Sequence, residues 1–78
     1  MSKQYTVCVK GIENVPSVVI IGARSPKEAV RLLCNIHKIK YTNIEKLKHT
    51  DKLNANFVVT YMDEMCKLKV GGAYKLIL

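Results

Sequence analysis

The four residues Ser25-Pro26-Lys27-Glu28 constrain this chain more than any other segment. Ser25 is placed to accept the amide proton of residue 28, and Glu28 to return to the amide of Ser25, which is a capping box. Pro26 falls at the first helical position, where its missing N–H would have no partner anyway. The spacing predicts one helix over 26–38. Ala29, Val30, Leu33, Ile36 and His37 follow its buried stripe, with Arg31, Asn35 and Lys38 on the outer side.

Residues 4–10 alternate: Tyr5, Val7 and Val9 share one face, Thr6, Cys8 and Lys10 the other, as in a half-buried strand. Gly11 to Pro16 supplies turn residues. Residues 17–23 form a second strand, and the short link makes an antiparallel hairpin. This strand is apolar on both faces, with Val18 and Ile20 on one and Val19 and Ile21 on the other. One helix covers one face of a small sheet, so the second face needs the C-terminal segment, a second copy or a partner.

Residues 42–50 place Ile44 and Leu47 among Glu45, Lys46 and Lys48 and read as a polar edge strand, its lysines discouraging unwanted pairing. Thr50 to Asn54 is a turn-rich connector. Residues 56–62 form a strong strand that Asp63-Glu64 breaks. The tail from Cys66 to Leu78 carries Gly71-Gly72 between two alternating runs, a two-residue hairpin signal. It is read as one or two short strands ending the sheet.

Seventy-eight residues make a single domain, 1–78. The expected fold is α+β: an antiparallel sheet with one helix packed on one face, in the order β-β-α-β-β plus a short C-terminal strand or hairpin. The expected core is Val7, Val9, Val19, Ile21, Ala29, Val30, Leu33, Ile36, Phe57 and Val59. No apolar run approaches the roughly 20 residues of a membrane helix. Met1-Ser2-Lys3-Gln4 leads into a strand pattern and not a signal peptide, so a cytoplasmic location is expected. A dinucleotide-binding fold needs far more chain.

Three cysteines, Cys8, Cys34 and Cys66, are too few and too widely spaced for a disulfide scaffold. They are expected to be reduced and buried. Cys34 and His37 lie three apart on the helix, and Cys8, His49 or Cys66 could complete a tetrahedron. The paired spacings of zinc sites are missing, however, so no metal or other cofactor is expected. A Cys with a nearby His is the minimum for thiol chemistry, but no cysteine lies in an exposed electropositive niche. Asp63-Glu64 are neighbours in a turn and not a facing acid–base pair. Gly71-Gly72 lacks the Lys-Ser/Thr and helix of a phosphate loop. No enzyme activity is expected.

The charge is uneven. Thirteen Lys+Arg against six Asp+Glu give a formal +7. Residues 24–52 hold eight of these bases and three acids, hence +5 of the total. Arg24, Lys27 and Arg31 lie at and along the helix N-terminus, where the helix dipole favours anions. Lys38, Lys40, Lys46 and Lys48 continue onto the next strand. Tyr41, beside Lys40, is the best placed of four tyrosines to stack on a base. These eight residues are the candidate partner- or nucleic-acid-binding surface. A lysine-rich surface also serves solubility alone. Eleven of the thirteen bases are Lys, which favours backbone contacts over base-edge readout.

The run from Val18 to Val30, a strand ending in Ala followed by Ser-x-x-Glu-Ala opening a helix, resembles a piece shared by small ribosomal proteins of ββαβ layout and small phage-type proteins. Among the latter are anti-CRISPR inhibitors with one helix on an antiparallel sheet. The resemblance covers residues 4–50 and is one of fold, so no functional residue carries over. It implies a chain that works by attaching to a larger machine. The leading expectation is a small basic non-enzymatic interaction protein, a phage-type inhibitor or adaptor docking on a host protein or nucleoprotein complex. The alternative is a sequence-nonspecific DNA- or RNA-binding module using the face from Arg24 to Lys52. A homodimer is a separate expectation, from the two-faced second strand.

Overall fold

A computed structural model describes residues 3–48 and 53–77. Strands β1 (Lys3–Val9) and β2 (Val18–Ala23) precede helix α1 (Pro26–Ile36). A 3-10 turn (Tyr41–Asn43) leads into β3 (Ile44–Leu47), and β4 (Phe57–Met62) and β5 (Leu68–Leu76) complete the chain. The fold is α+β, with one helix and one five-stranded sheet whose paired strands are all antiparallel.

The spatial order is β2-β1-β4-β5-β3, and it departs from the expected pattern at the C-terminus. The tail does not end the sheet as a short strand or hairpin. It forms a nine-residue strand between β4 and β3. A two-residue hairpin turn of the expected kind needs positive φ. Neither Gly71 nor Gly72 has it, since Gly11 is the glycine with positive φ. Instead the β4–β5 register slips between Val59 and Thr60, and Gly71 is the extra residue of a bulge. A Cβ on Gly71 would lie 2.6 Å from Pro26 Cγ, so the bulge brings β5 directly under the start of the helix. The turn lies upstream, at Asp63–Lys67. There Asp63 Oδ1 accepts the amides of Met65 (2.9 Å) and Lys67 (2.8 Å), and Cys66 adopts the left-handed conformation at φ 58°.

The helix begins where expected, with half of the expected capping box: the Glu28 amide donates to Ser25 Oγ at 3.1 Å, but among the described residues the Ser25 amide makes no return bond to the Glu28 carboxylate. It ends at Ile36, two residues before the expected limit. Ile36 is 66% exposed and leaves the expected core, and His37 becomes the half-buried cap. Cys34 takes the inward position and is fully buried. The inward stripe is therefore Ala29, Val30, Leu33 and Cys34, and a buried residue such as Leu33 contributes about 2 kcal/mol. It packs on the sheet face of Tyr5, Val7, Val9, Ile21, Ala23, Phe57, Val59 and Tyr74. Val19, expected in the core, is half-buried and packs against the core's edge, while Ile21 and Ala23 of the same strand are buried.

Two of the three thiols depart from expectation. Cys8 and Cys66 are exposed, one on the uncovered sheet face and one in the β4–β5 turn. β3 is an edge strand, as expected, but shorter than 42–50, because the 3-10 turn takes up Tyr41–Asn43. Residues 49–52, the end of the expected strand and the start of the expected connector, lie outside the described residues, and with them His49 and Lys52. Asn56 ties three strands together. Its side-chain amide donates to Lys10 O at 2.9 Å, and its Oδ1 accepts the Leu76 amide at 2.9 Å.

Candidate nucleic-acid interface

Lys27 and Arg31 are four residues apart and share one side of α1. Like charges at this spacing weaken a helix by a few tenths of a kcal/mol, so the pair does nothing for the helix itself. One turn later the chain reverses. The Ile39 amide donates to Cys34 O at 2.8 Å and the Lys38 amide to Asn35 O at 3.4 Å, a Schellman arrangement. Its left-handed position, ordinarily glycine, is held by Lys38 at φ 59°. A side chain there carries a backbone cost of order 1 kcal/mol.

The reversal aims the chain back along the helix. The Asn43 amide donates to Lys40 O at 3.0 Å and closes the 3-10 turn. Tyr41 then rests, half-buried, against the core cluster. β3 follows, and its register sets Lys46 opposite Tyr74 of β5, on the side of the sheet that carries the helix.

Three adjoining hollows meet at Tyr41. One is lined by Arg31, Asn35, Lys38, Ile39 and Lys40 together with Tyr41. The second adds Ser25, Lys27 and Glu28. The third runs from Lys27 past Tyr41 to Ile44, Lys46 and Tyr74. Of the eight residues expected from the sequence, the structure thus gathers six: Lys27, Arg31, Lys38, Lys40, Tyr41 and Lys46. Arg24 and Lys48 are exposed but do not line these hollows.

Asn35, Ile39 and Tyr74 line the cleft and were not foreseen. Asn35 had a signal, because it continues the Lys27–Arg31 spacing. Tyr74 had none, because its place depends on where β5 enters the sheet.

Among the described residues the ion pair within 4 Å is Lys69–Asp63, at 3.9 Å, on another part of the surface. Glu28 is the carboxylate lining these hollows. Burial pushes the Tyr41 phenol above its ordinary value, with Cys34 adding to the rise and Arg31 opposing it. Tyr74 is raised by burial and by Tyr41. Both stay neutral at ordinary pH, so neither repels an anion, and the Tyr41 hydroxyl can donate to one. Cys34, behind Tyr41, is raised by burial, the opposite of an activated thiolate.

A second feature lies on the opposite face of the sheet. Val18 and Ile20 of β2, Met62 of β4 and Leu68 of β5 are all exposed there, and the C-terminal segment does not cover them. The described residues contain no helix long and apolar enough to cross a membrane. The chain matches no family model, no curated protein and no solved structure.

Proposed function

We propose that this protein is a non-enzymatic interaction module that binds the phosphate backbone of nucleic acid, free or presented by a nucleoprotein complex, through the cleft around Tyr41. The observation that carries the reading is the convergence of five bases on one half-buried tyrosine, none with a carboxylate within 4 Å among the described residues. Lys38 adds weight: a strained backbone position is kept by a residue that lines the cleft. Lysines dominate, so contact is with phosphates and not with base edges. A small inhibitor or adaptor of phage type would use such a surface to compete for a nucleic-acid channel.

The test is fluorescence anisotropy against mixed-sequence duplex DNA and single-stranded RNA over a salt series. Binding should weaken with salt by roughly one logarithmic unit of slope per phosphate displaced. The double variant Lys27→Ala, Arg31→Ala should lower that slope by about two. Lys38→Gly should raise thermal stability while lowering affinity, because it relieves the left-handed strain and removes a base together. Binding only to a nucleoprotein would select the presented backbone over the free one. Binding that ignores salt, or that survives loss of the cleft bases, would overturn the reading.

A further inference from the structure

β2 is an edge strand, and no other described strand covers its outer side. The Val9 amide donates to Ser17 O at 2.8 Å, which fixes the phase of the β1–β2 ladder. With the register Tyr5↔Ile21 and Val7↔Val19, the odd-numbered residues of β2 bond to β1. The Lys10 amide donates to Asn56 O at 2.8 Å, so β1 uses its even residues toward β4, as this phase requires. Val18, Ile20 and Gly22 therefore turn their N–H and C=O groups outward, with no strand beside them among the described residues.

We propose that β2 pairs antiparallel with β2 of a second copy of this chain, about a two-fold axis through Ile20. The pairs are then Ile20 with Ile20 and Val18 with Gly22, each matching outward-pointing groups with outward-pointing groups. Gly22 leaves room for the facing Val18, since a Cβ built there meets nothing within 4 Å. Val18 is 58% and Ile20 65% exposed in the single chain, and both lose water in the pair.

Charge selects a second copy despite the net +7. β2 carries no charged residue. The same axis sets Arg24 opposite Pro16 of the second copy and not opposite another base. Of the cleft's bases, Lys46 lies on β3, four strand spacings or about 19 Å from β2, well beyond a Debye length of about 8 Å, while Lys27 lies on the helix, four residues past the end of β2. The area agrees with a reversible dimer. Six residues make an edge about 20 Å long, which with its side chains buries roughly 1,000 Å² in total, the lower limit of a specific interface. The product is a ten-stranded sheet with both helices on one side and a basic cleft near each outer end. It uses the edge opposite the cleft, so it stands or falls apart from the nucleic-acid reading.

Sedimentation equilibrium up to about 1 mM and amide exchange by NMR test it. The chain should dimerise, and the amides of Val18, Ile20 and Gly22 should gain protection as concentration rises. Ile20→Lys sets two ammonium groups face to face and should weaken dimerisation by about tenfold or more. Its thermal melt at low concentration should match the parent, because Ile20 is exposed there. Met62→Lys, on the same open face two strands inward, should leave the dimer intact. A strict monomer overturns the proposal. So does a dimer in which those three amides exchange freely, or one that Met62→Lys dissolves, since either would mean association face to face.

Discussion

β2 and β3 are the outer strands of the same sheet, yet they resemble each other in little else. β3 has four residues, two of them charged, and its neighbours Tyr41 and Lys48 are a half-buried ring and a further base. Short length and charge are the usual defences of an edge against pairing. β2 has six residues, all apolar or glycine, and its outward amides belong to Val18, Ile20 and Gly22. The difference matches the two proposed uses. On the β3 side, charge and the aromatic rings of Tyr41 and Tyr74 form a recess suited to an anion. On the β2 side, apolar side chains and bare backbone suit another strand.

Two glycines give the largest test of this contrast. Gly71, on the β3 side, sits against Pro26, and Gly22, on β2, faces open space. Gly71→Ala should destabilise by about 1–3 kcal/mol through overpacking. Gly22→Ala should be neutral or slightly stabilising, by a few tenths of a kcal/mol up to about 1. Equal costs in urea melts would show that the two sides are packed alike. An intermediate effect is expected at Ser25, which closes the link from β2 to the helix. Ser25→Ala loses the 3.1 Å bond from the Glu28 amide and should cost about 1 kcal/mol. Unchanged thermal stability would mean that the Pro26–Gly71 contact alone holds the helix start.

The smallest effect is expected from alkali. Cys34, Tyr41 and Tyr74 all lie toward the β3 side, and burial raises each above its ordinary value. The folded state then holds more protons than the unfolded one, so stability falls as pH rises. The contribution is complete below pH 9.0, the ordinary value of a thiol, and is lost further above 10.0, that of a phenol. Thermal melts should decline through this range, and exchange of Ile44 and Lys46 should rise before that of β1. Loss of β1 first would place the weak region on the other side.

Much of the local structure was legible in the sequence. The Ser25 cap and Pro26 placed the helix start to the residue, and period-two alternation found β1, β2 and β4 within one residue of their ends. The chain itself also showed that basic residues cluster between Arg24 and Lys52. The misses share a cause. Ile36 has helical spacing for the core, but the Schellman reversal ends the helix beneath it, and Cys34 takes the inward place. Gly71-Gly72 carries a turn signal, but glycine also serves where a backbone must pass close to a side chain, and Pro26 is that side chain. Cys8 was assigned to the interior on residue type, but the face it occupies has no cover.

By itself the sequence determined the start of the helix and the strands β1, β2 and β4, because capping and alternation are interactions between residues close along the chain. Only the tertiary structure decided which strands are neighbours. Gly71 opposite Pro26 and Lys46 opposite Tyr74 are contacts between residues far apart in sequence. They set β5 inside the sheet and β3 at its rim, which brings Lys46 beside Tyr41 and leaves β2 alone at the other edge.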